Sequence, residues 1–210
     1  KLTYQSTLAM LNFMGKNDKQ DLIIEAALTV FREKGYANTR MADIAKRAGV
    51  SYGLVYHYFG SKDVLFDVIV DTWWNSAHAV LDAQKDPGID FEQKLVNIIR
   101  FFLDTYINKP DLIAIFVTEV SRSSVYHTPK GLANFQKTFK HFEDIMGAGQ
   151  ESGFLRKDIG THYLTYIFLG AIEAFISVIV LGNEPMTEER ERRTINSIIQ
   201  VFLNGARVKV

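Results

Sequence analysis

Three tyrosines, a histidine and three glycines are concentrated in "KRAGVSYGLVYHYFGSKDVLF", residues 46–66. Tyrosine hydroxyls donate hydrogen bonds to phosphate oxygens, and a histidine donates to a phosphate or to a base edge. Gly53 would let a helix approach a sugar-phosphate strand closely, and Lys62 would start a helix whose free N–H groups attract phosphate. The stretch therefore carries chemistry for contacting a nucleic acid. For any single tyrosine, the alternative is that the ring packs on a neighbouring helix and leaves its hydroxyl in water.

Apolar residues recur at spacings of three and four along the whole chain, which predicts an all-α protein. Asn17 with Gln20, Ser51, and Ser61 are suited to begin helices, whereas glycines such as Gly35 and Gly49 are suited to end them. The predicted helices cover 18–35, 41–48, 51–59, 61–85, 90–108, 111–121, 129–152, 161–181 and 187–204.

The second and third helices, joined by a tight turn at Gly49, form a predicted helix-turn-helix whose second short helix enters the major groove of DNA. Val55 and Phe59 lie on its inner face, and Gly53, Tyr56 and His57 lie outside. Residues 16–65 hold eight Lys and Arg against six Asp and Glu, an excess of two. One copy should bind DNA weakly, so the sequence predicts a dimer that reads adjacent half-sites.

Residues 23–66 resemble the N-terminal DNA-binding domain of TetR-type transcriptional regulators. The resemblance rests on "AAxxxFxxxGY" from Ala26, "DIAxxAGVS" from Asp43 and a "YxYFxSKxxL"-like run from Tyr56. It implies a three-helix DNA-binding domain, a helical-bundle regulatory domain with an effector pocket, and a homodimer formed mainly by the last two helices. The expected divisions are 1–15, an N-terminal extension that is native or foreign to the protein; 16–65, the DNA-binding domain; and 66–210, the ligand-binding and dimerisation domain.

The resemblance also assigns operator contacts. Arg40 stands where Ser or Thr commonly caps the second helix, so Thr39 is expected to cap instead and to leave Arg40 for a phosphate. Leu54 and Tyr52 are the positions expected to distinguish operators. The full set of expected DNA contacts is Arg40, Ser51, Tyr52, Gly53, Leu54, Tyr56, His57, Tyr58 and Lys62.

The regulatory half is dense in aromatic residues, which either fill the bundle core or line an effector cavity. The segment "FVTEVSRSS" at 116–124 is similar to fatty-acid and acyl-CoA-responsive members of the family, as are "SGFLRKDIG" and "GAIEAF". That similarity implies a hydrophobic effector with an acyl chain and Arg122 at its anionic head, whereas the alternative makes Glu119 and Arg122 a surface pair. The expected ligand contacts are Trp73, Phe102, Tyr106, Phe116, Glu119, Arg122, Phe139 and Tyr166.

The last two predicted helices carry apolar stripes and small residues that permit close helix packing. Two such helices from each subunit would form a four-helix interface, and packing within one subunit is the alternative. The expected interface residues are Ala171, Ala174, Val178, Ile195, Ile199 and Phe202.

Other functions find little support in the sequence. Lys and Arg balance Asp and Glu at 24 each, and the chain has no cysteine, which fits a reducing cytoplasm. His141 and Asp144, three residues apart, suit a solvated pair better than a metal site, and no catalytic motif, cofactor motif or targeting segment is present. The run 167–182 is too short to span a membrane and contains Glu173, which predicts a buried helix. The rival functions are a small-molecule carrier and an interaction adaptor, each retaining a vestigial helix-turn-helix.

Overall fold

The computed structural model describes residues 18–118 and 129–208, and these residues form nine helices. The prediction of an all-α fold is confirmed. Within the described ranges, extended pairing is limited to one isolated bridge between Leu155 and Arg207. The helices are α1 Asp18–Lys34, α2 Met41–Ala48, α3 Tyr52–Phe59, α4 Lys62–Ala83, α5 Phe91–Asn108, α6 Pro110–Thr118, α7 Pro129–Glu151, α8 Thr161–Gly182 and α9 Glu188–Ala206.

Local hydrogen bonds explain where several helices begin. The hydroxyl groups of Ser51, Ser61 and Thr187 each accept an N–H from the third residue ahead, at 3.2 Å in every case. These bonds satisfy N–H groups that have no partner inside the helix. Gly35 and Gly49 follow α1 and α2 with φ of 76° and 66°, a conformation that favours glycine.

Thr39 does not cap α2, contrary to the sequence expectation. Its side chain is buried, and its hydroxyl donates to the carbonyl of Gly35 at 2.8 Å. Arg40 is the residue that precedes the helix, and its backbone N–H donates to Asp43 Oδ2 at 3.1 Å. The cap predicted at Asn17 and the segment 1–15 lie outside the described residues.

Two apolar clusters form the core, and α4 contributes to both of them. One cluster contains residues of α1 to α4 together with Phe101, Leu112 and Ile115. The other contains residues of α5 to α9 together with Leu81 at the end of α4. The division at residue 65 stays a prediction, but α4 joins the helix-turn-helix to the bundle as one packed rod.

One face of α8 is exposed, so the prediction of a buried helix is wrong for its outer side. The helix has 22 residues, which also overturns the argument that it is too short to span a membrane. By length and composition alone it could cross one, and 33% of its most apolar window is buried in the subunit. Its inner side, which includes Phe168, Ile172 and Ile176, packs in the second cluster. Its outer side carries Ile167, Val178 and Leu181 in contact with water.

Asp104 on α5 is a half-buried carboxyl group. Burial, reinforced by the charge of Glu191, raises the pKa of Asp104 to about 6. Because this folded-state pKa lies above the unfolded value, the protonated form is favoured in the fold. The contribution of this group to stability is therefore full below about pH 4 and is lost as pH rises through about 6.

We predict that, at pH values above 7, Asp104→Asn raises the melting temperature of the protein. A neutral amide can be buried there without the free-energy cost of burying the carboxylate charge. The difference from the unaltered protein should shrink as the pH falls toward 4.5. Paired thermal unfolding at the two pH values measures it. A variant that is less stable at both pH values would contradict the assignment.

Candidate DNA-binding surface and effector cavity

A tight turn fixes the angle between α2 and α3. Gly49 adopts the left-handed conformation, and the Val50 N–H donates to the Ala45 carbonyl at 3.1 Å. Ser51 then begins α3 directly, because its hydroxyl accepts from the Leu54 N–H. The two short helices are thus held as a helix-turn-helix, with α3 in the position of the recognition helix.

The two faces of α3 differ in chemistry. Val55 and Phe59 are buried against the first cluster. Tyr52 and Tyr56 are 55% and 57% exposed, and their rings stack with centroids 6.3 Å apart. His57 is exposed as well. The outer face therefore offers two rigid hydroxyl donors and one imidazole to an external partner, as the sequence predicts.

Tyr58 and Leu54 are less available than that face. Both are half-buried, and Tyr58 packs against the first cluster with its ring 6.3 Å from that of Phe59. The packing alternative raised for the tyrosines therefore describes much of the Tyr58 ring.

Gly53 faces open space. A Cβ built at this position meets no atom within 4 Å, and its φ is not in the left-handed region. Neither packing nor backbone conformation within the subunit therefore requires glycine here. Close approach of an external backbone is a physical reason that remains.

The structure gives the two basic residues at the edge of this surface different surroundings. Arg40 is exposed, and its side chain makes no capping hydrogen bond. Lys62 instead donates to the Tyr36 carbonyl at 2.7 Å and lies 4.4 Å from the centroid of the Tyr36 ring. In the absence of DNA, Lys62 therefore fastens the start of α4 to the segment after α1, and its contact with a DNA phosphate stays a prediction.

A cavity of about 310 Å³ lies between α4, α5, α6, α7 and α8. Its walls are mostly apolar, and seven of the fifteen described lining residues are aromatic. Trp73, Phe102, Phe116 and Phe139 line it, as the sequence predicts. Glu119 and Arg122 lie outside the described residues. The other residues that line it are Trp74, Ile113, Val117, Phe135, Thr138, Phe142, Leu169, Ile172, Glu173, Ile176 and Ser177.

Tyr106 and Tyr166 do not line the cavity, so their prediction as ligand contacts is wrong. The Tyr106 hydroxyl donates to the Glu184 carbonyl at 2.9 Å and holds the connection between α8 and α9. Tyr166 is exposed and meets the edge of the Phe139 ring from outside. Sequence analysis missed the row Leu169, Glu173 and Ser177, whose spacing of four places these residues on one helix face.

Two histidines lie beside the cavity. His78 Nε2 is 2.9 Å from Thr138 Oγ1, and burial lowers the pKa of His78. His141 is buried with Nδ1 3.9 Å from Asp82 Oδ1, and burial lowers its pKa too. Asp144 binds Lys140 instead, so His141 and Asp144 are not the solvated pair that was predicted. Among residues 18–118 and 129–208, no group of three potential ligands is placed to hold a metal ion.

Asp111, at the start of α6, connects the cavity to the helix-turn-helix. Its carboxylate accepts from Thr29 Oγ1 at 3.0 Å and from Arg32 Nη1 at 2.6 Å, both on α1. The same α6 carries Phe116 and Val117 in the cavity wall. Any ligand that displaces this wall therefore acts on a helix that is bonded to the DNA-binding half.

A second, apolar groove of about 310 Å³ runs along the outer side of α8 and α9. Ala171, one of the residues predicted at the interface, lines it, and Ala174 and Val178 are exposed on the same helix. Its other lining residues are Ile159, Leu164, Ile167, Phe175, Ser197, Ile198, Val201, Phe202, Gly205 and Ala206.

The residues predicted on α9 for this interface need correction. Ile195, Ile199 and Phe202 are only 5–6% exposed and pack inside their own subunit. Phe202 reaches the floor of the groove, whereas Val201, four residues after Ser197, is the apolar side chain that α9 exposes there. The most apolar stripe of α9 thus supports the groove from beneath.

The comparisons with known proteins agree with this architecture. The family model described as bacterial regulatory proteins, tetR family, matches residues 23–69. The transcriptional repressor NicS of Pseudomonas putida is 29% identical over 194 residues, covering 90% of this chain and 84% of that protein. The regulator BetI of Burkholderia lata is 40% identical over 94 residues, 42% of this chain and 46% of that protein.

Solved structures share the fold over nearly the whole chain. The fatty acid degradation regulator FadR from Bacillus halodurans has a TM-score of 0.76 at 22% identity, over 93% of this chain and 100% of that one. The ketosteroid regulator KstR2 of Mycobacterium tuberculosis has a TM-score of 0.76 at 20% identity, over 93% and 98%. The helix-turn-helix and these likenesses define a DNA-binding transcriptional regulator. The match at residues 23–69 identifies this helix-turn-helix domain as one of the TetR type.

The two glycines of the helix-turn-helix give a matched pair of predictions. Gly53→Ala should stabilise α3 by about 0.5–1 kcal/mol, because alanine restricts the unfolded chain more than glycine does. It should nevertheless weaken DNA binding by about tenfold, since the added methyl group keeps the sugar-phosphate backbone of DNA farther from α3. Thermal unfolding measures the change in stability. Fluorescence anisotropy of labelled DNA from beside the gene of this protein measures the change in DNA affinity.

Gly49→Ala is the control, because it also adds one methyl group in open space. At a φ of 66° it should cost about 1 kcal/mol of stability, the reverse of the Gly53 effect. If Gly53→Ala binds DNA as tightly as the unaltered protein, the close-approach role of Gly53 is wrong.

Proposed function

We propose that this protein is a homodimeric transcriptional repressor that leaves its operator when a small hydrophobic effector enters the aromatic cavity. The observation that carries the proposal is the face of α3 on which Tyr52 and Tyr56 are exposed. The next helix, α4, packs against the helix-turn-helix and also forms part of the cavity wall. The expected DNA contacts of Arg40, Ser51, His57 and Gly53 surround that face.

The small charge of the DNA-binding domain favours DNA binding by two subunits. The domain at 16–65 has an excess of only two positive charges, so phosphate attraction to one copy is small. A dimer with two recognition helices doubles the contacts at little extra ordering cost. The operator would then contain two half-sites about one helical turn apart.

The second copy would sit on the groove between α8 and α9. Val178 is 61% exposed and Leu181 is 73% exposed, an unusual amount of water contact for aliphatic side chains on one helix face. A two-fold axis would set α8 against α8 of the partner and bury both rows at once. Ala171 and Ala174 on that side allow the helices to approach closely.

The cavity supports a hydrophobic effector. Its volume and aromatic walls suit a small apolar molecule, and two proteins of the same fold are a fatty acid degradation regulator, FadR, and a ketosteroid transcriptional regulator, KstR2. An acyl chain is the apolar group that the sequence resemblance implies. The residue expected at an anionic head, Arg122, lies outside the described residues.

Release would act through α4 and α6 together. A ligand that displaces Phe116 moves α6, and Asp111 transmits the displacement to Arg32 and Thr29 on α1. The two recognition helices would then lose the separation that matches DNA. A coupling free energy of about 1–3 kcal/mol is enough to change operator affinity 5–150-fold.

The dimer is tested by Val178→Glu. Each subunit would bring a carboxylate to the same apolar interface, and facing like charges cost several kcal/mol, so the dimer dissociation constant should rise about 100-fold or more. Sedimentation and anisotropy should show a helical monomer with weak operator binding. Ile107→Glu, on an exposed apolar residue of α5 outside the groove, is the control and should stay dimeric. A dimeric Val178→Glu would contradict the interface.

The coupling is tested by Asp111→Asn, which removes the charge that holds Arg32. Operator affinity without effector and effector affinity without DNA should each stay within about threefold, whereas the effect of one ligand on the other should fall by about 1 kcal/mol. Glu189→Gln removes an exposed ion pair on α9 and serves as the control. Full coupling in Asp111→Asn would exclude this route.

A further inference from the structure

The polar side chains that line the aromatic cavity are unevenly charged. Thr138, Glu173 and Ser177 supply hydroxyl and carboxylate oxygens, and Glu173 is the charged residue among the described lining residues. Within the described parts of the chain, Glu173 makes no hydrogen bond or ion pair. A carboxylate without a protein partner at the rim of an apolar cavity is hydrated by water or can bind a positive charge.

Glu173 lies at the mouth of the cavity. It is exposed, whereas Ile172 and Ile176 on either side of it are buried. Phe135, the most exposed aromatic residue of the lining, marks another part of the same opening at 38% exposure. A ligand with an apolar body inside would therefore leave its polar end near Glu173 and in contact with water.

The walls favour a cation over an anion at that end. Aromatic faces carry a negative potential, which attracts a positive charge and repels a carboxylate. Trp73 and Phe116 pack with ring centroids 4.2 Å apart, and Phe135 and Phe139 with centroids 4.4 Å apart, so rings line the cavity on several sides. The full negative charge of Glu173 also favours a cation over an anion at this end of the cavity.

We propose that the effector is a lipophilic cation, with its apolar part among the aromatic rings and its ammonium group beside Glu173. This proposal rests on the proposed effector-release function and names the ligand class of that site. It departs from the acyl carboxylate that the sequence resemblance implies, because an anionic head would face Glu173.

The experiment compares three probes with the same chain length: decyltrimethylammonium, decanol and decanoate. The two tryptophans of the protein are Trp73 and Trp74, and both line the cavity, so selectively excited tryptophan fluorescence reports on this site. Titrations stay below the micelle concentration of each probe. Operator anisotropy is recorded with the same probes.

We expect the cation to bind more tightly than the alcohol, and the alcohol more tightly than the carboxylate. Glu173→Gln should weaken cation binding about fivefold, leave decanol unchanged and improve decanoate, since the lost attraction is about 1 kcal/mol at a partly exposed site. Added salt should reduce the cation preference in the unaltered protein alone. Glu189→Gln, exposed and outside the cavity, should match the unaltered protein.

Two results would overturn the inference in different ways. Preference for decanoate, or cation binding that Glu173→Gln leaves unchanged, would reject the lipophilic cation and leave the effector-release function standing. No fluorescence change and no operator release with any of the three probes would reject both.

Discussion

The structure depends most on how α8 is covered by its neighbours. One side of this helix forms the wall of the aromatic cavity and the second cluster, and the opposite side presents Val178 and Leu181 to water. Apolar surface of that extent is normally buried, since each square ångström removed from water contributes about 25 cal/mol. In the proposed dimer, a second copy of the chain would cover this surface symmetrically and would supply the second recognition helix.

The arrangement explains how weak local chemistry could give useful DNA recognition. The outer face of α3 has two exposed tyrosines, an open glycine and few charges, so a single copy has little long-range attraction for phosphate. Geometry therefore matters more than charge. Because α4 is packed into both apolar clusters and Asp111 bonds α6 to α1, the proposed release would carry a change in the cavity wall to the recognition helix through these contacts.

Most of the fold was predictable, because the helix boundaries are set by local signals. Ser51, Ser61 and Gly49 act within three residues of their own position, so sequence spacing reveals them. The relation between α1 and the start of α4 was not predictable in the same way. Lys62 is bonded to a carbonyl 26 residues away, and no local signal in the sequence reveals such a long-range contact.

The side-chain sets of the regulatory half were predicted less well. Aromatic density indicates a cavity but not which side of a helix faces it, so Tyr106 and Tyr166 were misplaced while Trp74 and Phe142 were omitted. On α9, the strongest apolar stripe contains Ile195 and is used by the subunit core. The exposed strip combines Val201 with smaller residues such as Ser197 and Gly205, so it carries a weaker hydrophobic signal than the buried stripe.

The spacing of the two recognition helices tests the central claim most directly. The chain has no cysteine, so Leu22→Cys, at an exposed position of α1 outside the expected DNA contacts, provides a single spin-label site on the DNA-binding half of each subunit. In complex with operator DNA, pulsed dipolar spectroscopy should give one narrow distance, because the two recognition helices are then held about one helical turn, roughly 35 Å, apart. Saturating effector should shift and broaden it. A sample with no dipolar coupling at operator-binding concentrations would mean that the DNA-bound protein is a monomer, and the account would be wrong.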